Sequence, residues 1–168
     1  MIIRWMRPED ARQIAEIRVE TWQATYRGLI DDAFLDSLDV ETDARRRMEY
    51  FSMPNPSSFT LVAGDAMDQV QGYCIAGPER YSNPLFTGEI YALYIRPQFQ
   101  KRGLGRGLVR AAAQELLKRG HRSMLIGVLY GNPAQGFYKR LGGQPVGRRW
   151  IELGDSKYIE IEYGWKNL

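Results

Sequence analysis

Residues 89 to 117 run from a strand, through a glycine-rich basic turn, into an amphipathic helix, and this order restricts the fold more than any other stretch of the chain. Glu89-Ile90-Tyr91-Ala92-Leu93-Tyr94-Ile95 is rich in β-branched and aromatic residues and is closed by Arg96-Pro97, which predicts a strand and then a loop. From Leu104 the apolar residues Leu104, Leu108, Val109, Ala112, Ala113, Leu116 and Leu117 recur as one helical stripe, and Gly120 supplies a stop. The helix therefore begins near Gly103, directly after Gln100-Lys101-Arg102. A helix start exposes unpaired N–H groups and the positive end of the macrodipole, and it ordinarily favours Asp or Glu by roughly 0.3–1 kcal/mol per charge. Lys101, Arg102, Arg106 and Arg110 gather there instead. A bound polyanion accounts for them, with amides aimed at phosphate oxygens and glycines allowing close approach. The competing reading of such a segment is an ordinary solvated turn.

Two familiar nucleotide cradles fail on residues. The Rossmann fingerprint needs its third glycine where Leu108 stands, and the Walker loop needs Gly-Lys-Ser/Thr, which is absent. Strand, proline-bearing loop, basic glycine turn and helix in this order resemble the GCN5-related N-acetyltransferase (GNAT) family. That family's acetyl-CoA pattern is Gln/Arg-x-x-Gly-x-Gly/Ala, and Gln100, Gly103 and Gly105 match it. A second segment follows, with a strand over Ser123 to Val128 and a short helix within Asn132-Pro133-Ala134-Gln135-Gly136-Phe137-Tyr138-Lys139-Arg140-Leu141-Gly142. Pro133 suits a first helical turn and Gly142 suits the end. The family's segment carries an asparagine after the strand, an alanine two residues on, then Phe-Tyr and Leu-Gly, and each is present. The chain departs from that pattern at Gly143, where an aromatic residue is usual.

The remaining chain predicts a strand at Ile2 to Met6, a helix from about Pro8 to Thr21, and helical pieces at Asp31 to Leu38 and Glu41 to Phe51 before Pro54 and Pro56. Phe59 to Ala63 and Val70 to Ala76 flank a Gly64-Asp65 turn as a hairpin does, and Gln144 to Leu153 and Lys157 to Trp165 do so around Gly154-Asp155. This is α/β order with a mixed sheet in one domain spanning 1–168. The resemblance implies an α+β, mostly antiparallel sheet of about seven strands, splayed in the middle and flanked by helices.

Length and composition suit a small enzyme, with 168 residues and 44% hydrophobic residues to furnish a core. The N-terminus lacks a signal-peptide h-region and no apolar run approaches membrane-spanning length, so a cytoplasmic location and no membrane partner are expected. Cys74 is the one cysteine and sits among apolar residues; His121 is the one histidine and sits at a helix end. Neither supplies a nucleophilic triad, metal-ligand spacing is absent, and no metal is expected. A net charge of +3 does not by itself point to nucleic acid, and none is expected as a partner. Arg45-Arg46-Arg47, among Glu41, Asp43 and Glu49, reads as a solvated helix face with Arg45 paired to Glu49. Arg148-Arg149 reads as an edge-strand guard or as part of an acceptor pocket.

What the resemblance implies for chemistry is direct transfer of an acetyl group from acetyl-CoA to a primary amine of a small metabolite. A protein N-terminal or lysyl amine, and a silent acyl-CoA sensor, are the alternatives. An amine with a pKa near ~10.4 must lose a proton before it attacks. Glu89, at the start of the cofactor strand in an apolar setting expected to raise its pKa, is the candidate base, against the alternative of a salt-bridged strand-end carboxylate. Tyr138 matches the family's proton donor to the leaving thiolate. Gln100, Lys101, Arg102, Gly103, Gly105 and Arg106 are expected to cradle the diphosphate. The backbone of Leu93, Tyr94 and Ile95, the amide of Asn132, and Phe137 and Tyr138 are expected to hold the pantetheine arm. Trp22, Tyr26 and Arg27 are the candidate acceptor contacts, in a Trp22-x-x-x-Tyr26-Arg27-Gly28-Leu29 run found in a subset of the family, with Asp31 and Asp32 nearby. A homodimer is a family expectation.

Overall fold

The computed structural model describes residues 1–52 and 57–168. Pro54 and Pro56 lie outside the described residues. The described strands form one sheet in the order β1-β2-β3-β4-β5-β7-β6. They are β1 (Ile2–Trp5), β2 (Phe59–Gly64), β3 (Val70–Pro78), β4 (Gly88–Ile95), β5 (Met124–Leu129), β6 (Gln144–Leu153) and β7 (Ser156–Trp165). Neighbours are antiparallel except β4 and β5, which run parallel. That pair is also the shortest ladder. Gly88, Glu89 and Ile90 face Met124, Leu125 and Ile126, and the register ends there. Beyond Ile90 strand β4 keeps its partner β3 out to Ile95 opposite Gly72, while β5 keeps β7 out to Leu129 opposite Glu160. The sheet is therefore open between β4 and β5 on the side where both strands end, which is the expected splay.

Alternation along β2 explains how the open sheet is covered on both faces, because successive side chains in a strand point to opposite sides. Leu61 and Ala63 join a cluster with Leu108, Ala112 and Leu116 of α4 (Leu104–Lys118), whereas Val62 joins Ile14 and Ile17 of α1 (Ala11–Tyr26). Leu108 and Leu116 are fully buried, each worth about 1.5–3 kcal/mol of transfer free energy. The α4 stripe ends one residue short of expectation, since Leu117 is 39% exposed. Helix α1 runs past its expected end at Thr21 to Tyr26, then stops as Gly28 turns the chain with φ +80°. Two shorter helices follow, α2 (Asp32–Asp36) and α3 (Val40–Ser52), and α5 (Gln135–Arg140) sits between β5 and β6. Among the described residues the i,i+4 ion pair of α3 is Asp43 with Arg47 at 2.7 Å, and not the expected Arg45 with Glu49; Asp43 also receives Arg18 of α1 at 3.2 Å. Among the described residues no helix is long and apolar enough to cross a membrane.

Gly143 has a direct explanation. A Cβ there would lie 2.7 Å from Cζ2 of Trp165, whose indole fills the space and donates through Nε1 to the Leu141 carbonyl at 2.9 Å. The ring expected on residue 143 is supplied from the end of β7 instead.

Candidate active site

The opening between β4 and β5 leads into a cleft of about 880 Å³ that passes through the sheet. On the α4 side its walls include Lys101, Gly103, Gly105, Arg106, Phe137, Tyr138 and Arg140. Gly103 is the residue before helix α4 and has φ +87°, a left-handed conformation that glycine adopts without steric cost. No side chain caps α4 and its first turn carries no acidic residue, so the amides and the positive end of the helix face the cleft uncompensated. Lys101 also has positive φ (+60°), an unusual conformation that turns the chain tightly around this point. A Cβ on Gly105 would come within 3.2 Å of the Phe137 ring, so the glycine lets α5 close against the first turn of α4. Gln100 donates from Nε2 to the Ile95 carbonyl at 3.1 Å and ties the loop to the end of β4.

Tyr138 stands where the cleft crosses the sheet. Its ring is buried, stacked on Tyr163 with centroids 6.2 Å apart and edge-on to Phe137 at 5.0 Å. Burial pushes its phenol pKa up, so the group keeps its proton well into the alkaline range. Leu93, Tyr94 and Ile95 line the opposite wall, on the length of β4 that β5 no longer pairs. Asn132, after β5, accepts the Ala134 N–H at 2.8 Å and directs Nδ2 toward the Tyr26 hydroxyl at 3.4 Å.

Residues 79–151 match the family described as FR47-like protein. The uncharacterized N-acetyltransferase YuaI of Bacillus subtilis is 30% identical over 166 residues, covering 99% of this chain and 93% of that protein. The chain belongs to the GCN5-related N-acetyltransferase family. Solved GNAT-type structures share its fold at lower identity. The PaiA N-acetyltransferase of Thermoplasma acidophilum, in complex with coenzyme A, superposes with a TM-score of 0.70 at 19% identity, covering 98% of both chains. YncA of Salmonella typhimurium, with its cofactor acetyl-CoA, does so at 0.70 and 21%, covering 98% of this chain and 92% of that one.

Within this GNAT fold several expected site residues meet at the cleft and others do not. Leu93, Tyr94, Ile95, Gln100, Lys101, Gly103, Gly105, Arg106, Asn132, Phe137, Tyr138, Trp22 and Tyr26 all line it. Arg102 does not; its guanidinium lies over the Phe99 ring, 5.4 Å from the centroid. Arg27 turns away and pairs with Asp36 at 2.8 Å and Asp32 at 3.3 Å, on the exposed side of α2. Asp31 is likewise spent, capping α2 by accepting the Ala33 N–H at 3.1 Å. The expected acceptor contact at Arg27 is corrected on this ground, because two carboxylates one helical turn apart hold it outward.

The setting expected for Glu89 is also corrected. Its carboxylate is fully buried but not in apolar surroundings: Arg80 donates from Nη2 at 2.7 Å and from Nε at 3.0 Å, the Arg80 amide donates at 3.2 Å, and Arg149 donates from Nη2 at 3.2 Å. It is the salt-bridged alternative, and it is not among the residues lining the cleft. Arg149, for which the sequence offers an edge guard or part of an acceptor pocket, is the hub of this network. It also donates from Nε to Glu160 at 3.0 Å, approaches Glu162 at 3.6 Å, and stacks over Tyr81 at 4.1 Å. Burial pulls its pKa down, but Glu160 and Glu89 outweigh that and the net shift is upward. Burial raises the pKa of Glu162, with Arg149 opposing. Sequence reasoning missed Arg80, Glu160 and Glu162. The usable signal was the alternation of Tyr158, Glu160 and Glu162 on β7, which places two carboxylates on one strand face beside Arg149.

Proposed function

We propose that the protein transfers an acetyl group from acetyl-CoA directly to a primary amine of a small metabolite. The observation that carries this reading is a single cleft that has an uncapped basic helix start at one end, a buried phenol at the crossing, and an aromatic chamber beyond. The residues fit the donor substrate. The amides after Gly103, with Lys101 and Arg106, match a diphosphate, since amide donors, dipole and cations all favour negative charge. On the side that β5 leaves after Ile90, the edge of β4 along Leu93, Tyr94 and Ile95 offers backbone groups to the amides of an extended arm, in the manner of an added strand.

In the transfer the acceptor nitrogen, once deprotonated, bonds to the thioester carbonyl carbon while an N–H of β4 stabilises the oxygen as charge builds on it. The carbon–sulfur bond then breaks, and the Tyr138 phenol gives its proton to the departing thiolate. Its raised pKa suits a group that must enter each turnover protonated. Solvent restores that proton and takes up the two lost by the nitrogen, one before the attack and one from the tetrahedral intermediate, so that each turnover releases one proton net. Glu89 serves here by holding Arg149 in place and does not meet the acceptor. No enzyme nucleophile is needed, and Cys74 is sealed in the core. The chain works in the cytoplasm on this reading, where acetyl-CoA is available.

A free-thiol release assay with acetyl-CoA across amino acids, polyamines, aminoglycosides and peptides tests the proposal. Turnover with small amines and none with peptides is the expected result. Absence of turnover with every amine, alongside intact CoA binding by calorimetry, would leave an acyl-CoA sensor in its place.

A further inference from the structure

We propose that Glu160 receives the ammonium group of the acceptor, and that the acceptor is an amine with an apolar or aromatic body and no carboxylate beside the nitrogen; this rests on the acetyltransferase reading above. The cleft is segregated by charge. Its cations, Lys101, Arg106 and Arg140, stand on the α4 and α5 side, and among the described residues Glu160 is the one carboxylate lining it.

Glu160 is held at that place by the sheet. Its Cα pairs with Leu129 of β5 on one side and Arg149 of β6 on the other, so its side chain rises from the middle of a three-strand face. The carboxylate lies over Gly127, where an added Cβ would collide with Oε2. Oε2 accepts from Arg149, and among the described residues Oε1 has no hydrogen-bond donor. Exposure of the side chain is 17%, and that remainder opens toward the cleft. The negative charge reaches the phenols of Tyr26 and Tyr94. Burial is the main cause of the upward pKa shifts of Tyr26 and Tyr94, and Glu160 adds a smaller contribution to each.

Charge balance around the hub favours a cation. Glu89, Glu160 and Glu162 surround Arg149, and the second guanidinium, Arg80, is committed to Glu89. Three carboxylates therefore face two cations, and an arriving ammonium supplies the third. The walls beside Glu160 are mainly apolar, with Trp22, Leu129, Ile151 and Leu153, and their polar atoms include the Tyr26 hydroxyl and the Asn132 amide. Trp22 and Tyr26 meet edge to face with centroids 5.0 Å apart. Such walls suit an aromatic or aliphatic body and give the π-faces that attract a cation. A carboxylate on the carbon bearing the amine would stand against Glu160 in a site of low dielectric, and like charges so placed cost several kcal/mol.

The test compares 2-phenylethylamine with L-phenylalanine, which differ by that carboxylate, in steady-state CoA release by the wild-type protein. Expected is a kcat/KM for 2-phenylethylamine higher by roughly 100-fold. In Glu160→Gln the KM for 2-phenylethylamine should rise about tenfold while the KM for acetyl-CoA stays within about twofold. If the variant does not fold by circular dichroism, the wild-type pair of amines decides alone. Equal or reversed preference between the two amines, turnover confined to carboxylate-bearing or wholly polar amines, or a folded Glu160→Gln with unchanged amine KM each overturns the inference and leaves the acetyltransferase reading standing. Failure of every amine overturns both.

Discussion

The two sides of the cleft are built by different means. On the α4 side recognition comes from backbone: helix amides, a left-handed glycine, and a strand edge that β5 abandons after Ile90. On the α1 side it comes from side chains brought together across the sheet, with Trp22 and Tyr26 from the first helix and Arg149 and Glu160 from the last two strands. A backbone-built site needs particular residues at short fixed spacings, so it can hold one constant ligand and tolerate drift elsewhere. A side-chain-built site is free to change one residue at a time. The contrast matches one donor shared by a family and acceptors that differ among its members.

Four variants sharpen that contrast. The largest effect is expected at the crossing point. Tyr138→Phe should lower kcat about 100-fold with acetyl-CoA affinity unchanged, read by thiol release and calorimetry. In the wild type the rate should climb with pH as the amine deprotonates. No downturn from Tyr138 should appear below pH ~10, because burial raises that phenol above the ordinary tyrosine value. A falling limb between about pH 8 and 9 that disappears in Tyr138→Phe would contradict the assignment.

Next comes the donor side. Lys101→Ala with Arg106→Ala should raise the KM for acetyl-CoA by tenfold or more, leave kcat near wild type, and flatten the salt dependence of CoA binding. A kcat loss without a KM change would place these cations elsewhere in the mechanism. Glu89→Gln probes the support behind the acceptor side. It removes the fully buried carboxylate that accepts from the half-exposed Arg80 and the buried Arg149, and it should destabilise the fold by about 3 kcal/mol, a fall in Tm of roughly 6–12 °C. Unchanged Tm with abolished turnover would restore Glu89 as the base. The smallest effect belongs to Arg27→Ala, since its pairs with Asp32 and Asp36 are solvent-exposed and screened, and neither Tm nor amine kinetics should move measurably.

The same contrast governs what was legible beforehand. The strand, turn and helix around Gly103, and the Asn132 to Gly142 segment, were readable because local periodicity and positive φ leave marks in adjacent residues. The hairpins were readable from Gly64-Asp65 and Gly154-Asp155 for the same reason. Glu160 was not, because its role depends on Arg149 and Gly127 lying beside it across β-ladders whose register no local pattern prints. Glu89 shows the complementary failure. Its neighbours Ile90 and Tyr91 are apolar, yet the partners that matter, Arg80 and Arg149, arrive from 9 and 60 residues away. Gly143 was noted as a departure, and only packing reveals that Trp165 occupies the vacated volume.

Cys74 lies on β3 with no exposed surface, and burial pushes its thiol pKa up to about 12. At neutral pH the residue carries almost no thiolate and offers reagents no approach. The folded protein should therefore be silent toward chromogenic disulfides, so that colour formed during turnover reports liberated coenzyme and progress can be followed continuously without replacing Cys74.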